Sequence, residues 1–153
     1  MHKFLKIFQS IIFLTIISPV VHAQNDVDFM NVKLFETGHD AVPQSERFYT
    51  THFSKSTSKY IFYEAEVRNN LYNIKSNSVK LYAEFYGPDG TLMGDPVLEY
   101  TIPSDWATAY LWHGWGWNES GNWDAGRYRL VLYINHEKLT EIYFTIEDDD
   151  WDY

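Results

Sequence analysis

The chain has 153 residues, with 21 Asp and Glu against 12 Lys and Arg and a formal net charge of −9. That acidity argues against nucleic acid and anionic lipid as partners, and the length fits one domain. Cysteine is absent, which excludes disulfides, thiol catalysis and Cys-ligated metals. The 12 Tyr, 10 Phe and 6 Trp form a β-type composition.

In chain order, the first element is a leader. Lys3 and Lys6 precede an apolar run from Ile7 to Val21, and Val21-His22-Ala23 comes just before Gln24. A basic start, an apolar stretch and a small-residue site in this order predict a signal peptide over 1–23, cleaved after Ala23. The run is shorter than the roughly 20 residues of a spanning helix, so no membrane insertion is expected after cleavage. Removing Lys3 and Lys6 with no acid takes the net charge from −9 to −11. The expected location is the periplasm or the extracellular space. A β-domain is expected over 24–147, followed by a solvated acidic tail over 148–153.

The mature part alternates as strands do. Asp28 to Glu36 reads as a first strand. Gly38 to Ser58, rich in Ser, Thr, Gly and Pro, reads as a long connection with room for a short strand over 47–53. In Lys59 to Arg68, Ile61, Tyr63, Ala65 and Val67 share one face and Glu64, Glu66 and Arg68 the other. In Ser78 to Tyr86, Val79, Leu81, Ala83 and Phe85 point one way and Tyr82, Glu84 and Tyr86 the other. Gly87-Pro88-Asp89-Gly90 is a turn. Thr91 to Thr101 pairs back as a hairpin arm, with Gly94 and Pro96 marking a bulge or an edge. Trp106 to Trp112 is a short extended run. Gly126 to Ile134 and Leu139 to Ile146 form a last hairpin, Tyr128, Leu130, Leu132 and Ile134 opposing Ile142, Phe144 and Ile146. About seven strands and no amphipathic helix predict an all-β fold. The expected form is an immunoglobulin-like, two-sheet antiparallel β-sandwich in which each sheet keeps one wet face.

Residues 112–123 (WHGWGWNESGNW) carry four of the six Trp, with Gly114, Gly116 and Gly121 between them. Asn118, Glu119, Ser120 and Asn122 make the segment read as a loop. In one reading it folds over an open end of the sandwich and its indoles plug it, each N–H reaching a backbone carbonyl. In the other it is a binding surface, with flat apolar rings beside hydrogen-bonding side chains. Its candidate ligand-binding residues are Trp112, His113, Trp115, Trp117, Asn118 and Glu119, with the outward Tyr82 and Tyr86 completing the surface. Trp115 and Trp117 are the foremost among these, and Trp123 is expected to pack.

The stretch GWGWNESGNWDAGRYRLVLYINHEKLTEIYFTI over 114–146 resembles the C-terminal part of a recurrent bacterial secreted domain family. The shared pattern is G-W-G-W, a short polar stretch, Trp123, Gly126, Tyr128 and Tyr133 as W-x-x-G-x-Y-x-x-x-x-Y, then Phe144 and Ile146 as F-x-I. The resemblance spans most of residues 28–146. It implies an immunoglobulin-like module, alone or appended to envelope proteins, with no established activity. The last turn, Asn135-His136-Glu137, departs from the Asp-Gly usual in such domains.

No catalytic set emerges. His39, His52, His113 and His136 lack metal-ligand spacing, and Glu119, Asp124 and Asp105 have nothing that fixes their separation for glycoside hydrolysis. No enzyme activity, metal or cofactor is expected. The sequence predicts a non-catalytic secreted binding or accessory module whose partner is an envelope protein or, next, a glycan. A structural subunit that associates through the Thr91–Thr101 edge is the further alternative.

Overall fold

The computed structural model describes residues 26–38, 40 and 42–149. The leader and its cleavage site, and residues 150–153 of the acidic tail, lie outside the described residues. Among the described residues nine strands run in order: β1 Val27–Thr37, β2 His52–Ser54, β3 Tyr60–Asn69, β4 Asn77–Tyr86, β5 Leu92–Gly94, β6 Val97–Ile102, β7 Thr108–Gly116, β8 Gly126–Ile134 and β9 Glu137–Glu147. A single 3-10 turn occupies Gln44–Glu46. One sheet has the order β1-β3-β7. The other runs β2-β9-β8-β4, with β5 and β6 both on the outer side of β4.

The expected two-sheet sandwich is therefore the observed one. All pairings are antiparallel except the three-residue β2–β9 pair. The chain changes sheet between β1 and β2, β2 and β3, β3 and β4, β6 and β7, and β7 and β8; setting aside the three-residue β2, this is a Greek-key path of immunoglobulin type. Nine strands replace the expected seven for two local reasons. The edge arm is broken at Asp95-Pro96, since proline cannot donate to the ladder, and the long connection contributes β2.

The core follows the alternation. Ile61, Tyr63, Ala65 and Val67 of β3 face Val79, Leu81, Ala83 and Phe85 of β4 and Tyr128, Leu130, Leu132 and Ile134 of β8, all buried. Tyr128 donates its hydroxyl to the Asp124 carbonyl at 2.9 Å. This is the tyrosine corner of immunoglobulin-like domains, a Tyr near the start of the sixth strand tied back to the preceding loop. Two residues on, where disulfide-bearing domains of this type carry a cysteine, stands buried Leu130. Burial pushes the Tyr128 phenol up to about 12.

The β8–β9 turn is Asn135-His136, with φ of 47° and 74°. A two-residue hairpin loop with both φ positive is the type I′ turn, which matches strand twist. Asn135 tolerates this and accepts a bond from the Lys80 N–H. His136 does not have glycine's freedom. His136→Gly is expected to raise unfolding stability by about 1 kcal/mol in urea titration. A loss of stability would mean that the ring contact of His136 with Tyr82, at 5.1 Å, outweighs the backbone strain.

The expectation that each sheet keeps one wet face needs correction. The outer face of β1-β3-β7 carries Phe35, Phe62, Glu64 and Trp112, and residues 42–50 lie across it as a strap. Thr50 donates to the Leu34 carbonyl and Tyr49 bridges to Phe35. Arg47 lies 4.7 Å from the Phe35 ring centroid and 5.3 Å from that of Trp112. Its guanidinium pairs with the buried carboxylate of Glu64, which also accepts from Gln44 and Tyr49. Glu64 holds its outward parity; the strap is what removes it from water.

Candidate functional site

Two strands end their sheets on the same side of the sandwich. β7 is the free edge of the three-stranded sheet, and β6 is a free edge of the other. Between them runs a groove of about 400 Å³, lined by Leu98 and Tyr100 from β6, Trp106 from the connection, and Tyr110 to His113 from β7. Four of its rings stand in solvent: Tyr100 is 37% exposed, Trp112 41%, Trp106 44% and Tyr110 45%. Scattered exposed apolar residues are ordinary, whereas four large rings on one concavity make this groove the candidate site.

Each ring is held by the fold. On β7 the even positions Tyr110 and Trp112 point out of the sandwich while Ala109 and Leu111 are buried. Trp112 is backed by Phe62 at 6.1 Å and by Arg47. Trp106 sits on a turn whose carbonyl accepts from the buried Asn69 amide at 2.9 Å, and the Asn69 backbone N–H reaches the Ala107 carbonyl. Asn69 is in turn bonded by Asn77. Tyr100 lies 6.5 Å from Trp106, the rings inclined by 35°. Beyond the groove, Trp115 packs against β5. A methyl group on Gly94 would come within 2.3 Å of its indole.

No protein-family model matches the chain, and no curated protein matches it. Among solved structures it is similar to an immunoglobulin-like protein from Pseudomonas aeruginosa, with 16% identity, a TM-score of 0.46, and 82% of this chain and 99% of the other covered. It is also similar to the Pseudomonas fluorescens alkylpurine DNA glycosylase AlkC bound to DNA containing an abasic site analog, with 11% identity, a TM-score of 0.47, and 82% and 31% covered. A third is the CARDB domain of a Pyrococcus furiosus protein in complex with di-metal ions, with 16% identity, a TM-score of 0.36, and 79% and 90% covered. The immunoglobulin-like architecture of this chain stands on its own strand pairing and tyrosine corner.

The structure splits the residues singled out in the tryptophan segment. Trp112 and His113 line the groove; the inward His113 ring accepts the Gly114 N–H at 2.8 Å through Nδ1. Trp115 and Trp117 are half-buried on the core, their rings 4.6 Å apart. Both pack on Trp123, at 5.4 and 5.0 Å, and Trp123 is fully buried with its indole N–H on the Lys59 carbonyl at 3.0 Å. Asn118 accepts from the Tyr60 hydroxyl at 3.2 Å, and Glu119 is exposed on the following turn.

The loop reading of 112–123 is corrected for its first half, since Trp112 to Gly116 are strand residues. Glycine serves packing there. Phe62 on β3 lies across Gly114, where a side chain would come within 2.6 Å of the ring, and the Lys59 carbonyl crowds Gly116. Tyr82 and Tyr86 belong elsewhere, on the outer face of the larger sheet. There Tyr86 and Tyr133 both donate to Glu84, which raises both phenols, and Arg129 covers Tyr86. Among the described residues, no three His, Asp or Glu side chains converge as metal ligands.

Sequence reasoning missed Leu98, Tyr100, Trp106 and Tyr110. One signal was available: Tyr110 and Trp112 share the parity opposite to Ala109 and Leu111, so two large rings point away from the core.

Proposed function

We propose that this chain is a non-catalytic binding module, exported to the bacterial envelope or beyond, and that it holds a partner protein in the groove between β6 and β7. The observation that supports this is four solvent-facing aromatic rings on one groove, carried by paired strands and by a turn bonded to buried Asn69. Rigid Tyr and Trp side chains lose little entropy on contact, which is why they dominate binding hot spots. Among the described residues, the side chains lining the groove offer two phenols, two indole N–H groups and His113, with no side-chain amide or carboxylate. A glycan needs several converging hydrogen-bonding groups, so a protein partner suits the lining better than a sugar.

Site-specific photo-crosslinking tests this in producing cells. A benzoylphenylalanine at Tyr110 is expected to yield one discrete protein adduct, and the same probe at Tyr82 none. Trp106→Ala should weaken adduct formation about tenfold while leaving the fold intact. Adducts at Tyr82 alone would move the contact surface to the outer face of the larger sheet.

A further inference from the structure

We infer that the partner enters this groove as an extended, basic strand that adds to the free edge of β7. The inference rests on the groove being the contact surface, and it specifies what fills it.

The argument begins with burial across one strand spacing. Leu98 and Tyr100 of β6 pair with Leu81 and Val79 of β4 and share their inward parity. Leu81 and Val79 are buried, whereas Leu98 is half-buried and Tyr100 is 37% exposed. The covering sheet stops at β7, one strand short of β6. A strand laid beside β7 at the usual spacing of about 4.8 Å would stand where that cover is missing.

The main chain matches this. The side of β7 facing away from β3 has no strand partner among the described residues, so apart from the Gly114 N–H, which His113 takes, its N–H and C=O groups are open to a ladder. Such addition draws affinity from the backbone and specificity from alternate side chains. Inward side chains of the added strand would meet Leu98 and Tyr100, and outward ones would lie beside Tyr110 and Trp112.

Charge selects the occupant. No Lys or Arg lines the groove. Glu66 sits directly across from Tyr110 on β3, and Asp105 adjoins Trp106. Neither is held in an ion pair among the described residues, while the nearby Glu99 is neutralised by Lys80 at 2.7 Å. Exposed rings beside free carboxylates favour Lys and Arg, through cation–π contact and Coulomb attraction. A second copy of the chain is a poor occupant. Its charge of −9 repels, and its own β6 would overhang its β7 edge and meet the first overhang.

The test is selection of a randomised linear peptide display library on the purified chain, followed by synthesis of the enriched peptides. Enriched sequences are expected to alternate apolar with basic residues. Binding should fall about tenfold on N-methylating alternate amides, and about tenfold with Trp112→Ala. Hydrogen exchange should slow at β7 amides facing away from β3. Binders that are acidic, or indifferent to N-methylation, would overturn the inference. So would a crosslinked partner at Tyr110 with no peptide competing for it, an outcome that leaves the groove reading standing. Loss of both adduct and peptide binding would remove the two together.

Discussion

Trp123→Ala is expected to lower unfolding stability by about 4 kcal/mol, near the upper range for removal of a large core side chain. Trp123 is fully buried. Its ring meets Trp115, Trp117, Tyr128 and Phe144 edge-on, with centroids 5.0 to 6.0 Å apart. Alanine would leave a cavity bordered by four rings that are each tied to a different strand or turn, so collapse around it is restricted. It would also remove the indole N–H from the Lys59 carbonyl, which keeps its bond from the Trp117 N–H at 3.1 Å. Trp123→Phe should cost less, about 2 kcal/mol, since most of the ring remains and one hydrogen bond goes. Urea unfolding of both variants is the measurement, with the midpoint shifted and the slope unchanged. A shift worth under about 1 kcal/mol for alanine would mean that the aromatic end of the sandwich repacks freely.

The second large effect lies under the strap. Glu64→Gln should cost about 3 kcal/mol, because it leaves the buried Arg47 guanidinium without a counter-charge, facing only neutral acceptors such as the Val42 carbonyl. Arg47→Met should cost a similar amount by leaving a buried carboxylate with two neutral donors, Gln44 and Tyr49. The double variant Glu64→Gln with Arg47→Met should cost well under the sum, since no buried charge is left uncompensated. Guanidinium unfolding of the four proteins gives the coupling energy directly. Strictly additive costs would show that the two groups act independently. Limited proteolysis supplies a second readout: the single variants should be cut within residues 42–50 at protease levels that the parent chain withstands. Since Arg47 also backs the Trp112 ring, loosening the strap should weaken crosslinking at Tyr110 without touching the groove itself.

The fold was legible where one periodicity ran unopposed. β3, β4 and β8 announce themselves by alternate members that are all apolar, and the Gly87–Gly90 turn by residues that only a turn accommodates. The edge was legible too, since Pro96 cannot sit inside a ladder. Glu64 and Trp112 were not. Both occupy outward parity, Glu64 in a strand whose alternation is plain in the sequence and Trp112 in one whose second half reads as a loop. What happens beyond that face is decided by a segment far away in sequence. The strap's composition announces a loop and carries no mark of where it will lie.

The tryptophan segment shows the same division from the other side. Its glycines and polar residues suggest a loop, yet Gly114 and Gly116 are strand positions kept free of side chains by Phe62 and the Lys59 carbonyl. Local composition reports flexibility, and only the neighbouring strand reveals that the space is already taken. The groove is further still from sequence, because it arises where one sheet ends a strand before the other. No residue encodes that mismatch; strand count and stacking do. By itself the sequence determined the class of fold, the inward face of most strands and a surplus of rings over what the core needs. Tertiary structure decided which of those rings are sealed in and which stand in water, since burial depends on what covers a face, and the covering pieces come from distant parts of the chain.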